Sequence, residues 1–252
     1  VIDVATLEGL GARAWPAREV ERLGGWELRY ADGYSCRVNT VLPWEGSLRG
    51  LDGRLGVARA WYGARGLPLR FRVTPLAGVD LPRALGARGF VAADPTLVLV
   101  GPLEGERAPA PEVEVRATPE DDWLTLQRAV EGANRRPEAG WRALLGRIGP
   151  PVGFGVLRVG DVVGAAGLTV VDGEWAGTFQ VVVAPELRRS GLARRLIAGL
   201  AAWAAGEGAT RGWLQVQESN VAAVRLYRSL WYRTVYRYRY LVEAEGGELG
   251  SC

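Results

Sequence analysis

Apolar and polar positions alternate with two rhythms along this chain. "WELRY" and "YSCRVNTV" read as strands flanking an Asp32-Gly33 turn, a hairpin signal. Leu51, Leu55, Ala58 and Tyr62 then recur at helical spacing, "LPLRFRV" reads as a strand, Asp80 to Arg88 as a short helix, and "TLVLV" as a closing strand. Further on, "VEVR" reads as a strand. Thr118-Pro119-Glu120-Asp121 predicts a helix start, with Thr118 as cap, Pro119 in the first position and Trp123, Leu126, Val130 and Ala133 as the buried stripe. A short helix over Trp141 to Ile148 follows. Three strands come next, "VGFGVLRV", "DVVGAAGLTVV" and "EWAGTFQVVV", the last two turning at Asp172-Gly173. The chain closes with a long helix after "APELRRSG", the strand "GWLQVQ", a helix capped by Asn220 and the strand "YRTVYRYRYLV".

Between these two runs lies "GPLEGERAPAPE", rich in Pro, Gly and charge, which reads as a linker. The halves share a register. Pro43 and Pro185, Trp61 and Trp203, and Phe90 and Tyr232 are each 142 residues apart, and Asp32-Gly33 matches Asp172-Gly173 at 140. Landmarks that agree this closely point to an internal duplication. The expected division is 1–104, a linker 105–111, a second domain 112–243 and a tail 244–252.

Composition narrows the chemistry. The chain has 252 residues, 48% of them apolar, enough for a substantial core. All 31 basic residues are arginine, and the net charge is only +3, which is weak evidence for nucleic acid as a partner. His is absent, so an imidazole base, a His-based metal site and a Ser-His-Asp triad are excluded, and no metal site is expected. Met is absent too, and the sequence opens at Val1. The two cysteines, Cys36 in an expected strand and Cys252 at the end, make no disulfide framework. They fit a reducing, cytoplasmic setting with Cys36 as a small core residue. The longest apolar run, Leu196 to Ala205, is too short to span a membrane, and no signal peptide is visible.

The stretch "VVVAPELRRSGLARRLIAGLAAW", Val181 to Trp203, carries the most specific chemistry. A strand end, a Gly-bearing turn and a helix start make an anion cradle, because free N–H groups and the helix dipole both face outward. Gly191 admits a ligand close to the backbone, and Arg188 and Arg189 suit phosphates. No G-x-G-x-x-G and no Walker-type motif occurs.

Arg188-x-x-Gly191-x-Ala193, after Val183-x-Pro185, resembles the acyl-CoA pyrophosphate loop of the GCN5-related N-acetyltransferases, the GNAT superfamily. "LQVQESNVAAVRLYRSLWY" is similar to that family's strand, Asn-capped helix and following segment, and the likeness covers roughly Val113 to Val242. The resemblance implies an α/β (α+β) fold of two GNAT-like acyl-CoA acyltransferase units, each a mixed, mostly antiparallel sheet flanked by helices. The first would be degenerate, because Gly78 and Leu85 stand at the 142-residue offset from Asn220 and Tyr227 and no matching loop follows Pro43. Acetyl-CoA is the implied co-substrate. Val181, Val182 and Val183 would lie beside its pantetheine arm, with backbone N–H groups polarising the thioester carbonyl. Arg188, Arg189, Ser190, Gly191, Leu192 and Ala193 would hold its pyrophosphate, and Asn220 and Ala223 would contact the arm. Tyr227, near the sulfur, would be the catalytic acid.

The pattern also departs from the family. Gln215 stands where relatives that acetylate protein N-termini carry Glu, and Glu218 falls on the other strand face. Asp172 and Glu174 sit at a turn end, Glu131 and Glu138 suit an amine-attracting acceptor pocket, and Trp231 replaces a usual Gly. In "WYRTVYRYRY" the period-two alternation puts Tyr232, Thr234, Tyr236, Tyr238 and Tyr240 on one face, a simpler account than nucleic-acid binding. The expected function is an acetyl-CoA-dependent N-acetyltransferase acting on an amine of a small molecule or peptide by direct transfer in a ternary complex, and a homodimer is compatible with it. The alternative is a non-catalytic acyl-CoA-binding or regulatory GNAT-fold module.

Overall fold

The computed structural model describes residues 2–103, 110–131, 138–149 and 151–243, and only the backbone of Glu131 and Glu138. Most of the expected linker, the whole tail, Ala133 and Cys252 lie outside the described residues. The elements run α1 (Val4–Ala14), β1 (Glu19–Leu23), β2 (Trp26–Tyr30), β3 (Thr40–Pro43), α2 (Leu51–Gly63), β4 (Arg70–Val73), α3 (Asp80–Gly86) and β5 (Phe90–Pro102). They continue β6 (Val113–Arg116), α4 (Asp121–Glu131), α5 (Glu138–Leu145), β7 (Val152–Val159), β8 (Val162–Asp172), β9 (Trp175–Val183), α6 (Leu192–Gly206), β10 (Arg211–Gln217), α7 (Val221–Ser229) and β11 (Arg233–Glu243). The chain is α/β, a mixed sheet flanked by helices. Of the described residues, no helix is long and apolar enough to cross a membrane.

Two compact units emerge: Val1–Val98 with Val216–Val221 and Thr234–Cys252, and Leu99–Gln215 with Ala222–Arg233. Strand order is β1-β2-β3-β4-β11-β5 in the first and β5-β10-β9-β8-β7-β6 in the second. The expected separate units, each with its own sheet drawn from one half of the sequence, are therefore not observed. β5 serves both units, and β11, from the C-terminal end, pairs with β4 in the first.

In the first unit, Leu51, Leu55, Ala58 and Tyr62 of α2 are buried, as their spacing requires. The Tyr62 hydroxyl donates to the Arg29 carbonyl at 3.1 Å and accepts from the Arg29 N–H at 3.0 Å, which fastens α2 to β2. Burial pushes its pKa up, so the phenol stays protonated. The Arg29 guanidinium donates to the carbonyls of Ala12 (2.8 Å) and Trp15 (3.0 Å), meeting orphan acceptors at the end of α1. The apolar pattern signals neither α1, capped by Asp3, nor β1.

In the second unit, α6 packs closely on the sheet. Its Leu192, Leu196 and Leu200 form one cluster with Leu157 and Ala165 of the sheet. A Cβ on Gly199 would overlap Val113, and one on Gly155 would fall 2.7 Å from Leu200, so both sites need glycine for close approach.

Local starts differ from expectation in three places. α4 begins at Asp121 rather than Pro119, because the Leu124 N–H reaches the Glu120 carbonyl at 3.0 Å and makes Glu120 the cap residue. The second short helix starts earlier, at Glu138. Cys36 is buried, but it lies in the irregular segment between β2 and β3 and is disulfide-bonded rather than a free core thiol. Tyr236, Tyr238 and Tyr240 are buried while Arg237 and Arg239 face outward, as alternation demands.

Those tyrosines meet a buried charge pair. Glu8, 2% exposed, accepts from Arg72 at 2.8 Å and from the Tyr236 hydroxyl, and the Arg72 guanidinium stacks 3.8 Å from the Tyr238 ring centre. Burial opposes the charge on Arg72, but the Glu8 carboxylate together with Tyr238, Tyr240 and Tyr236 outweighs it and leaves the arginine pKa raised. Burial and the same carboxylate raise that of Tyr236. Removing one partner strands a charge, so Arg72→Met is expected to cost about 3–5 kcal/mol in urea unfolding, and Glu8→Leu/Arg72→Met less than that. A single variant as stable as wild type would show that solvent reaches Glu8.

Candidate active site

The site begins where two parallel strands part. β9 and β10 pair at Trp175–Arg211, Ala176–Gly212, Gly177–Trp213 and Thr178–Leu214, and the register stops there. β9 continues through Phe179–Val183 without a β10 partner. On its other edge the register against β8 shifts between Ala166 and Leu168, so that Gln180 and Val181 stand opposite Gly167 alone. This is a β-bulge, and Gln180 adopts φ +53°, a left-handed conformation uncommon for a residue with a side chain.

The side chains of Val181 and Val183 pack on the Leu192, Leu196 and Leu200 cluster, while Val182 is buried separately. The strand is held by its side chains, which leaves backbone as the surface that β9 can offer a ligand in the opening.

At the end of β9 the chain makes a tight turn, Pro185–Leu187, and then four exposed residues, Arg188 to Gly191. Arg189 takes φ +67° and Gly191 φ +85°, and Gly191 is the residue that caps α6. The Ser190 hydroxyl donates to the Leu187 carbonyl and steadies the turn. A side chain on Gly191 would enter open space but would strain the backbone. The first intrahelical bond, Arg195 N–H to the Gly191 carbonyl at 3.2 Å, leaves the N–H groups of Leu192, Ala193 and Arg194 without helical partners. Leu192 is buried and Ala193 half-buried. Among the described residues, neither Arg188 nor Arg189 is ion-paired, whereas Arg195 holds Glu112 at 2.7 Å. The turn therefore presents two unneutralised guanidinium groups and a row of free N–H groups, a cradle for a polyanion such as a pyrophosphate.

In the second unit, α7 buries Val224 and Tyr227, with Ala223 half-buried beside them. The Tyr227 ring meets Tyr232 edge-on at 6.1 Å, and Arg194 donates to the Ser229 hydroxyl at 2.6 Å, tying the start of α6 to the end of α7. Asn220 is exposed, immediately precedes α7 and belongs to the first unit. Trp231 keeps the left-handed turn that glycine would favour, at φ +66° and 64% exposed.

Acidic candidates thin out. Gln215 is buried, Glu174 is held by Arg211 at 3.5 Å, and Glu218 is paired with Arg237 at 2.9 Å. The side chains of Glu131 and Glu138 lie outside the described residues. Among the described residues, no group of acidic, Cys or His side chains could hold a metal. Sequence reasoning missed Gln127, which is fully buried and donates to the Gln180 carbonyl at 2.6 Å. A signal was present, since a Gln directly following Leu126 lies inside the apolar stripe of α4.

Comparisons with known proteins identify a family. A family described as "Probable histone acetyltransferase Rv0428c C-terminal" matches residues 2–241. The chain is similar to the "Uncharacterized N-acetyltransferase YobR" of Bacillus subtilis, 26% identical over 96% of this chain and 99% of that one. It is also similar to the "Probable histone acetyltransferase Rv0428c" of Mycobacterium tuberculosis, 30% identical over 94% of this chain and 73% of that one. Its fold is shared with a GCN5-related N-acetyltransferase from Kribbella flavida, at a TM-score of 0.72, 18% identity and 98% coverage of each chain. With that family model matching nearly the whole length, the chain belongs to the family described as "Probable histone acetyltransferase Rv0428c C-terminal" and is an acetyltransferase.

Proposed function

We propose that the chain moves an acetyl group from acetyl-CoA to an amine of a small molecule or peptide, by direct transfer in a ternary complex. The observation that carries this reading is the parting of β9 from β10 beside a helix start with free N–H groups and unpaired Arg188 and Arg189. The pyrophosphate lies against Arg188 to Ala193, and the pantetheine arm runs along Val181 to Val183 in place of the missing strand partner. Ala223 contacts the arm. A neutral amine attacks the thioester carbonyl; the C–N bond forms, the C–S bond breaks, and the thiolate takes a proton from the Tyr227 phenol, while the proton shed by the amine nitrogen passes to water and returns the phenolate to the phenol. Val181 N–H stabilises the oxyanion. The M. tuberculosis relative is named for a protein acceptor, which favours a peptide amine here.

We further propose a tandem origin in which the first half has lost the co-substrate. The 142-residue offset carries β3, α2, β4, α3 and β5 onto β9, α6, β10, α7 and β11. In the first unit the parallel β3 and β4 pair at Val41 with Phe71, and the loop after β3 packs close to backbone. A Cβ on Gly46 would overlap the Ala77 carbonyl, and Arg54 donates into the same loop at the Ser47 carbonyl.

Three outcomes test this reading. Gly191→Val, by forcing the cap residue out of its left-handed conformation, and Arg189→Glu, by opposing the phosphates, should each weaken acetyl-CoA binding more than about tenfold in calorimetry. Unchanged affinity in both folded variants would remove the cradle. Titration of the intact chain should saturate at one acetyl-CoA, and a stoichiometry of two would return a site to the first half. Tyr227→Phe should lower kcat by roughly 10²-fold with little change in acetyl-CoA affinity. Wild-type turnover across pH 6 to 9 would make Tyr227 a packing residue.

A further inference from the structure

The bulge in β9 leaves backbone groups that strand pairing does not satisfy, because Gln180 and Val181 have no register partner on β8 or on β10. Two side chains of α4 reach this place. The Trp123 indole N–H donates to the Gly167 carbonyl at 2.9 Å, and the Gln127 carboxamide donates to the Gln180 carbonyl at 2.6 Å. Four residues apart, they share one helix face, and both are buried, at 1% and 0% exposure. α4 thus grips the bulge on both strands.

Gln127 is the more telling of the two. Its Oε1 is buried without a hydrogen-bond partner, so half of the carboxamide is desolvated with no compensating bond. The other half makes one bond, and its orientation follows from the partner, since a carbonyl requires the NH2 group. That bond acts on a peptide plane. The Gln180 carbonyl and the Val181 N–H belong to one trans peptide and point in opposite directions, so fixing the first fixes the second. The left-handed conformation of Gln180 has to be held by its surroundings to persist.

We propose that Gln127 is a positioning residue for acetyl transfer, aiming the Val181 N–H at the thioester carbonyl by holding the Gln180 carbonyl. This rests on the reading of the same cleft as the acetyl-CoA site. A donor fixed before the reaction stabilises developing oxyanion charge without reorganisation, which is where such a bond gains its effect.

The test reads carbonyl polarisation directly, with no need for an acceptor. Acetyl-CoA labelled with carbon-13 at the thioester carbonyl is bound to the intact chain, and its C=O stretch is followed by isotope-edited infrared spectroscopy. The wild type should shift the stretch to lower frequency, and Gln127→Leu should lose most of that shift while its acetyl-CoA affinity stays within about threefold. Its kcat toward a free-amine peptide should fall about 10- to 100-fold. Gln127→Glu separates aim from packing. A buried carboxyl has a raised pKa and, when protonated, can donate as the carboxamide does. Its shift should be present near pH 5.5 and vanish near pH 8.5, with the fold unchanged by circular dichroism. A wild-type shift in folded Gln127→Leu, or a pH-independent one in Gln127→Glu, would overturn the assignment of Gln127 alone. A wild type that binds no acetyl-CoA would overturn the cofactor reading first, and this inference with it.

Discussion

Everything in the second unit follows from the point at which two parallel strands stop pairing. After Thr178 and Leu214 the β9–β10 register ends, and β9 runs on with one edge free of hydrogen-bond partners. Unpaired backbone is costly inside a protein, so such an opening persists only if something takes up the exposed groups. α4 takes two carbonyls at the bulge. α6 begins just past the end of β9, so one chain segment carries both a strand without its β10 partner and the free N–H groups of a helix start.

The first unit shows the same strand pattern put to a different use. Its interior uses polar groups for cohesion: Glu8 is matched by Arg72 and Tyr236, Arg29 closes the end of α1, and Tyr62 clasps the backbone of β2. Arg188 and Arg189 of the second unit are, by contrast, exposed and, among the described residues, without an ion pair.

Much of this was legible in the sequence. The buried stripe of α2, the tyrosine face of β11 and the Gly191 cap each follow from a strong local rule, periodicity in the first two and the need for positive φ in the third. The Thr118-Pro119 start was not, because a Glu120 cap two residues on competes with equal chemistry. The sharing of β5 between units was invisible, since strand order depends on contacts far apart in the chain and leaves the local pattern of "TLVLV" unchanged. The bulge at Gln180 was likewise hidden, because one extra residue in β9 is visible only against its neighbour β8. Gln127 could have been suspected, since a polar residue inside an apolar stripe must find a partner.

The seating of α6 on glycine has a mechanical meaning. Where Val113 rests against Gly199 and Leu200 against Gly155, a side chain from one layer sits directly on the backbone of the other. Long side chains at a helix–sheet interface can repack and let the helix slide by an ångström or two, which is how many proteins pass a binding event along their length. A helix keyed at two glycines has less of that compliance, for sliding would carry Val113 and Leu200 off positions that have no Cβ to meet them. α6 is thereby a fixed stop and not a piston: whatever docks at its first turn is located against the strands as firmly as the strands are located against one another.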